Sequence, residues 1–511
     1  MVRFESILFT DPRPNGIDER AAPDCFSDLR LDQVISAIVG SEDDNRLEPF
    51  FRAPARHVME VEYRHAVFRD LQHEITRHPI DAFVNDVRTV RNRLHQASKI
   101  WHPLQKQGWV VHAVHTYCRA VLSLRAELST GETSSTGLTN FASYLQHYAD
   151  GNRFRVLVSE TEALQAELSE IRYNVHIQGL RVHVERFDGQ TDYSAEVAAT
   201  FERFRRQAGK DYHAPLQDYP DMNHVEEQIL ECVAKLFPDQ FRRLNDYCAR
   251  HQSFLDNTLS TFAREVQFYL SYLNFMDRLA GAGHAFSYPE VSAKFDGVYA
   301  QDAFDLALAI KQCDENQPLI RNEFRLDGDE RMLVVSGPNQ GGKTTFARTV
   351  GQLFYLAALG CPVPAARAKL VMPDEIFTHF ERQESISTLH GKLDNELVRI
   401  HDIVSRVSPN SLVVMNESFS STTANDALMI GGEVLQRIIA IGCTGVYVTF
   451  LDELASFDAA CVSMVGEVAP DDPTVRTFRF TRRPADGMAY AAALADKYGL
   501  NRHALLRRIV Q

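Results

Sequence analysis

The chain has no excess of basic residues. Its 511 residues include 54 Lys and Arg against 68 Asp and Glu, a formal net charge of −14. This balance argues against a surface uniformly coated with positive charge. It leaves room for nucleic acid, because binding needs only a local basic face or a ring that closes around the duplex.

Paired cysteine motifs and long apolar runs are also absent. The eight cysteines stand at positions 25, 118, 232, 248, 313, 361, 443 and 461, with no C-x-x-C and no metal-type spacing. They are typical of reduced thiols inside a cell. The stretch from Met1 to Ser6 lacks the apolar run of a signal peptide, and no later run could span a bilayer. We therefore expect a soluble, cytoplasmic protein with no membrane partner.

The chain divides by character into three parts, in keeping with the two to four domains that its length allows. We predict a mixed N-terminal segment over 1–50 and a helical domain over 51–300, where apolar residues recur at three- and four-residue steps. Alternating apolar residues predict a β-hairpin near 171–184, inside the helical domain. Residues 301–511 are predicted to form an α/β domain. The fold class is therefore α plus α/β.

The α/β prediction rests on short apolar runs that alternate with helical patterns. Strands are predicted at Met332–Val335, Leu412–Met415 and Val446–Thr449, as a mostly parallel sheet requires. An antiparallel pair is predicted at Val462–Val468 and Arg476–Thr481.

The first of these strands leads into a phosphate-binding motif. Residues 337–344 fit G-x-x-x-x-G-K-[ST], the P-loop, and an apolar helix follows. Glycines let backbone N–H groups close around phosphate oxygens, Lys343 supplies charge to the β/γ-phosphates, and the Thr344 hydroxyl can ligate Mg²⁺. The predicted cofactors are therefore ATP and Mg²⁺. The predicted nucleotide-binding residues are Gly337, Pro338, Asn339, Gln340, Gly341, Gly342, Lys343, Thr344 and Thr345.

The second predicted strand ends in a pair of polar residues that suits a Walker B position. Asn416 and Glu417 come directly after an apolar run and before a polar loop. Glu417 is the candidate for polarising the attacking water. Asn416 occupies the position of the acid that usually holds the Mg²⁺ shell. Its amide oxygen can still accept hydrogen bonds from metal-bound water, with one negative charge fewer.

Taken together, these motifs resemble the MutS family of mismatch-repair ATPases. The P-loop is close to the family's G-P-N-M-G-G-K-S-T, and Asn416–Asp426 lies on the family's D-E-x-x-x-G-T-S-x-x-D run without a gap, with Thr422 and Thr423 at its hydroxyl positions. Val363-Pro-Ala and Ile376-Phe-Thr are similar to two further family segments. The resemblance covers about 320–511 and implies an ATPase domain. The helical part resembles the family's lever and core domain more loosely.

The resemblance also implies an assembly and marks two departures. In the family, a signature loop completes the ATP site of a neighbouring subunit. Here it would fall at 385–396, with Ser387, Thr388 and Glu396 as candidates, so a homodimer is expected. Asn416 replaces the Walker B acid, and Phe450 stands where the family has a histidine. Both departures predict slow hydrolysis. The mismatch-reading domain with its F-x-E motif has no counterpart before the helices.

These features predict an ATP-binding protein or slow ATPase that acts on DNA, in repair or DNA-structure recognition rather than in mismatch reading. One alternative is a nucleotide-gated dimeric scaffold with little hydrolysis. Another is a P-loop ATPase of the SMC or ABC type. A basic segment in the helical part is a candidate DNA contact or, alternatively, a solvated helix face. It contains Arg88, Arg91, Arg93, Lys99 and Lys106.

Overall fold

The computed structural model describes residues 4–11, 21–40, 47–129, 131, 133–179, 181–190, 222–315, 317–381 and 391–485. Within these ranges the chain forms two compact units. One unit takes its residues from Met1–Phe4, Ile75–Thr133 and Thr139–Ala263. The other takes them from Glu5–Glu74, Ser134–Leu138 and Arg264–Gln511. The sequence-based division at 50 and 300 remains a prediction.

The described residues are mostly helical, with three sheets. The helices α1–α15 are Cys25–Leu29, Leu31–Val39, Glu48–Phe51, Val58–Leu71, Glu74–Lys99, Pro103–Leu128, Thr136–Asp150, Asn152–Ser169, His224–Leu236, Pro238–Arg250, Asn257–Gly281, Leu306–Glu315, Lys343–Ala358, Lys392–Arg406 and Ala424–Ile441. The strands β1–β12 are Tyr173–Gln178, Arg181–Arg186, Glu290–Ser292, Val298–Ala303, Asn322–Leu326, Met332–Ser336, Arg367–Val371, Ile376–Phe380, Leu412–Asn416, Thr444–Val448, Cys461–Ala469 and Asp472–Arg482.

The first unit is a helical body with a small hairpin. Its helices pack through aromatic rings, as where Phe141 stacks on Phe262, and through buried hydroxyl pairs such as Thr161 with Tyr247 at 2.7 Å. Strands β1 and β2 pair antiparallel with Gln178 opposite Arg181. Pro238 separates α9 from α10, because proline cannot donate the hydrogen bond that would continue a helix.

A six-stranded sheet organises the second unit. Its strand order is β12-β11-β6-β10-β9-β8, and all neighbours are parallel except the β11–β12 pair. Every residue of β6, β9 and β10 is buried. Strands covered on both faces are apolar throughout. The mostly parallel sheet predicted from the sequence is therefore present, with the carboxyl ends of β6, β9 and β10 at one edge.

A second sheet of four short strands also belongs to this unit and was missed by sequence analysis. Its order is β3-β7-β4-β5, with β3 parallel to β7 and the other pairs antiparallel. β3 has only three residues, and β4 carries a register shift between Ala300 and Ala303. Such short, irregular strands leave no run of alternation long enough to recognise.

Helix α13, which follows the predicted P-loop, is almost entirely buried. Residues from the N-terminal part of the chain bind along its length. Gln352 donates to the carbonyl of Leu29 at 2.9 Å, and the Tyr355 hydroxyl donates to the carbonyl of Phe51 at 2.7 Å. At its far end, the fully buried Arg64 donates to the carbonyl of Leu359 at 2.8 Å. These bonds fix the helix whose first turn carries Lys343.

In the part of the chain that the structure describes, no helix is both long enough and apolar enough to cross a bilayer.

Candidate nucleotide site

Residues 337–342 form the turn between β6 and α13. Gly337 has a φ of 125° and Gly342 a φ of 89°, values at which a side chain would be strained. A Cβ at Gly337 would also lie 2.9 Å from the backbone nitrogen of Gly466 on β11. The turn therefore requires glycine at both ends. Because the first N–H groups of a helix have no acceptor within it, the start of α13 suits an anion.

Lys343 is the first residue of α13 and is 5% exposed. Its Nζ donates to the carbonyls of Gly337 at 3.1 Å and Pro338 at 3.3 Å, and to Oδ1 of Asn339 at 3.4 Å. Burial lowers the pKa of Lys343, and the positive charge of Arg476 lowers it further, whereas the carboxylates of Glu417 and Asp452 act in the opposite direction. An ammonium group held over the turn can contact a phosphate bound there.

Thr344 and Asn416 bring α13 and β9 together. The Thr344 hydroxyl donates to Oδ1 of Asn416 at 3.0 Å, and Asn416 is 7% exposed. Hydroxyl and amide oxygens are hard ligands, and Mg²⁺ is usually held by one or two protein groups together with phosphates and water. The pair therefore fits a magnesium ion beside a bound phosphate, with a neutral amide where a carboxylate would add charge.

Glu417 follows β9 with a left-handed backbone, φ 51°, and its N–H donates to the carbonyl of Val448 at 3.0 Å. Its Oε1 lies 4.0 Å from Nζ of Lys343. Phe419 is also left-handed, φ 64°, and its N–H donates to Oε2 of the buried Glu396 at 3.1 Å. Such conformations cost about 1–3 kcal/mol in non-glycine residues and persist only where neighbours hold them.

A cavity of about 650 Å³ adjoins the turn at 337–342. Its lining includes Lys343, Thr344 and Glu417, together with apolar side chains from α12 and the segment before β5, among them Leu308 and Ile320. The cavity is large enough for a nucleotide and has the usual combination of apolar walls and a few converging polar groups.

One wall of the cavity comes from β12 and was missed by sequence analysis. Arg476, Thr477 and Phe478 line it, and Arg476 Nε donates to the carbonyl of Asn339 at 3.3 Å. Asn322 of β5 holds this wall, because its amide donates to the carbonyl of Phe478 at 3.1 Å and accepts from the N–H of Phe480 at 2.8 Å. The sequence predicted the strand, but only its pairing with β11 brings it to the turn.

A buried ion pair links α12 to α13 at the cavity floor. Arg348 Nε donates to Oδ2 of Asp305 at 3.0 Å, and Asp305 Oδ1 accepts the N–H of Leu308 at 2.7 Å in the first turn of α12. Arg348 also donates to the Thr345 hydroxyl at 3.4 Å. Thr345, which is predicted to bind nucleotide, is therefore linked through Arg348 to Asp305, the residue before α12.

The other predicted residues are placed as follows. Ser387 and Thr388 lie outside the described residues, and Glu396 binds the loop after β9 in its own chain. Thr423 is the N-cap of α15, its hydroxyl accepting the N–H of Asp426 at 3.2 Å. Phe450 follows β10 and is 49% exposed. The in-trans role of Ser387, Thr388 and Glu396 stays a prediction.

Comparison with known proteins agrees with this geometry. The MutS domain V profile matches residues 333–495, which begin in β6 and include the turn, Asn416 and Glu417. Over this part of the chain, the match confirms the recognition of the MutS family. It is 28% identical over 231 residues to a DNA mismatch repair protein MutS from Chloroflexus aurantiacus, covering 43% of this chain and 22% of that protein.

Two other MutS relatives match shorter stretches of the chain. An Endonuclease MutS2 from Thermus thermophilus is 27% identical over 195 residues, 37% of this chain and 25% of that protein. A DNA mismatch repair protein MutS from Thermotoga neapolitana is 28% identical over 182 residues, 35% of this chain and 23% of that protein. The matches span about a quarter or less of each relative's length.

Proposed function

We propose that this MutS-family chain binds Mg-ATP in the cavity beside the turn at 337–342, hydrolyses it slowly, and acts on DNA as a homodimer. The observation that carries the nucleotide site is that Lys343, Thr344 and Glu417 line one cavity, with Asn416 hydrogen-bonded to Thr344 behind them. These side chains come from two separate segments, which the parallel sheet brings to a common edge.

Each residue has a separate role in this proposal. Lys343 binds the β/γ-phosphates from above the turn, and the first N–H groups of α13 bind the phosphate oxygens. Thr344 and Asn416 hold the metal and its water shell. Bound Mg²⁺ supplies charge that offsets the developing negative charge on the phosphates. Glu417, 37% exposed at its side chain, orients the attacking water and accepts its proton.

Slow turnover follows from the absence of a negative charge at Asn416. An amide keeps the hydrogen bond from Thr344 at 3.0 Å but adds no negative charge beside a divalent cation. The same observation supports a second candidate function, a dimeric scaffold that binds ATP and hardly hydrolyses it. Turnover assays with and without DNA separate the two. The match of residues 333–495 to MutS domain V favours this proposal over the third possibility, an ATPase of the SMC or ABC type.

The nucleotide site is tested by Lys343→Ala, with Lys311→Ala on α12 as the control, because the Lys311 side chain is 70% exposed. Calorimetry should show that Lys343→Ala loses ATP binding while Lys311→Ala keeps it. Glu417→Ala should bind ATP but lose hydrolysis. Equal ATP affinity in Lys343→Ala and the unaltered protein would refute the site, and normal turnover in Glu417→Ala would refute the role of that carboxylate.

The DNA part of the proposal rests on the similarity to these relatives, two of which are DNA mismatch repair proteins. The basic segment gives it limited support. Arg91 donates to the carbonyl of Ser260 at 3.0 Å and Arg93 is hydrogen-bonded to Thr116, so both have structural contacts, whereas Lys99 is exposed. Binding to homoduplex, mismatched and branched DNA across a salt series tests it, since the salt slope counts phosphate contacts. Absence of binding to all three at low salt would refute a direct role on DNA.

A further inference from the structure

Arg476 is a cation that sequence analysis did not connect with the site. It lies on β12, far from the P-loop motif in the chain, yet its side chain lines the same cavity as Lys343 and Glu417. Its Nε donates to the carbonyl of Asn339, the third residue of the turn, at 3.3 Å. A guanidinium group therefore stands directly against the turn that the proposed nucleotide would occupy.

The contact with Asn339 identifies the end of the cavity that Arg476 serves. Lys343 Nζ lies 3.4 Å from the side-chain oxygen of the same Asn339 and also donates to the carbonyls of Gly337 and Pro338. The two cations thus meet at one residue of the turn. Because the lysine of such a turn reaches the β- and γ-phosphates, Arg476 lies at the terminal-phosphate end of the site.

Contacts of the next two residues of β12 fix the position of Arg476. The register of the β11–β12 pair shifts between Gly466 and Val468, and the Thr477 hydroxyl donates to the carbonyl of Glu467 at 3.0 Å. Two residues beyond Arg476, Phe478 adopts a left-handed backbone, φ 59°, and its carbonyl accepts from Asn322. Strained backbone of this kind persists where the surroundings hold it, and Phe478 itself lines the cavity.

The charges around this end of the cavity favour a polyanion. Lys343 and Arg476 are close enough that the positive charge of Arg476 lowers the pKa of the lysine, although the carboxylates of Glu417 and Asp452 raise it. The neighbouring Asn416 is a neutral amide. A triphosphate would bring several negative charges to both cations, and a guanidinium can bind two phosphate oxygens through parallel N–H donors.

We propose that Arg476 contacts the terminal phosphates of the bound nucleotide within its own chain and so makes the site selective for triphosphate over diphosphate. This inference rests on the proposed nucleotide site. In this proposal, Arg476 binds phosphate and does not only brace the turn through its hydrogen bond to Asn339. The brace alone would serve ATP and ADP equally, because both need the same backbone conformation at residues 337–342.

The test compares the affinities of ATP and ADP, measured by calorimetry with Mg²⁺, in Arg476→Ala, Arg476→Lys and Arg479→Ala. Arg479 lies three residues along the same strand and is exposed, which makes it a matched control. We expect Arg476→Ala to weaken ATP about 10- to 100-fold and ADP by less than about 3-fold, as for loss of a charged hydrogen bond. Arg476→Lys should lie between, and Arg479→Ala should match the unaltered protein.

Three results would overturn the inference, and they differ from one another. Equal losses of ATP and ADP affinity in Arg476→Ala would show that Arg476 stabilises the turn but does not contact the terminal phosphates. Unchanged ATP affinity in Arg476→Ala would show that Arg476 has no role in ATP binding. If the unaltered protein binds neither nucleotide, the proposed function fails and the inference fails with it. A thermal melt of each variant without nucleotide shows whether the fold is kept, and Arg476→Lys supplies the comparison if Arg476→Ala does not fold.

Discussion

Asn416 offers the sharpest test of how charge sets the activity of this site. Replacing it by aspartate changes one atom of the side chain and adds one negative charge. The aspartate can still accept the hydrogen bond that the Thr344 hydroxyl now donates at 3.0 Å. Since Asn416 is 7% exposed, the added carboxylate is largely removed from water. The change therefore alters charge at nearly constant shape.

Two opposing free energies follow from that charge. Without a cation, an uncompensated buried carboxylate destabilises a fold by several kcal/mol, and we expect about 2–4 kcal/mol here. With Mg²⁺ at about 4.5 Å, Coulomb's law at an effective dielectric constant of about 20 gives about 7 kcal/mol of attraction. Desolvation offsets most of this. We expect a net gain of about 1–3 kcal/mol, or about 5- to 150-fold in Mg²⁺ affinity.

Thermal melts with EDTA and with Mg-ATP measure both effects. Asn416→Asp should have a lower Tm than the unaltered protein in EDTA and a larger rise in Tm on adding Mg-ATP, because a ligand stabilises the state that binds it. Hydrolysis should become faster. Asn410→Asp, in the exposed turn before β9, is the control for the same chemical change. If Asn416→Asp and Asn410→Asp show the same Tm and the same Mg²⁺ dependence, Asn416 is not part of the metal site.

Two further predictions concern stability and assembly. Burial raises the pKa of Glu265 from 4.5 to about 7, although Ser6 and Ile7 donate hydrogen bonds to it at 2.8 and 3.0 Å. The protonated form is thus favoured in the folded state, and about 3 kcal/mol of stability present below pH 4.5 should be lost as pH rises through about 7. Urea denaturation across pH should show this loss in the unaltered protein and not in Glu265→Gln; an identical profile in both would contradict it. For assembly, we expect Mg-ATP to tighten a homodimer and alanines at Ser387 and Thr388 to weaken it without removing ATP binding, as judged by sedimentation. A particle of monomer mass in every nucleotide state would contradict the dimer.

Local patterns were sufficient to predict the part of the site that is contiguous in the chain. The order of strand, glycine turn and helix at residues 332–358 follows from residue type and spacing alone, and so does the polar end of β9 at Asn416. Arg476 could not be predicted in this way. Its strand was recognised, but its place over the turn depends on the β11–β12 register and on Asn322, which lies about 150 residues away in the chain.

The N-terminal contacts to α13 were hidden for the same reason. Leu29 and Phe51 bind α13 through their backbone carbonyls, which carry no sequence signature. Arg64 is charged and fully buried, against the usual preference of arginine for solvent, because its donors find the carbonyls of Leu8 and Leu359 and a carboxylate of Glu60. Contacts of this kind join residues that are far apart in the chain, so they can be identified only in the folded structure.

Glu396 connects the loop after β9, which carries Glu417, to the segment that sequence analysis assigned to the subunit interface. It lies in α14, whose first residues overlap the end of the predicted signature loop at 385–396, and its carboxylate accepts the N–H of Phe419. Phe419 and Glu417 both have left-handed backbones, so the conformation of this loop depends on what holds it. A displacement of Glu396 would disturb the backbone at Phe419, two residues from Glu417. In the proposed dimer, a nucleotide-dependent change at the interface would therefore act on the carboxylate that orients water, within a single chain.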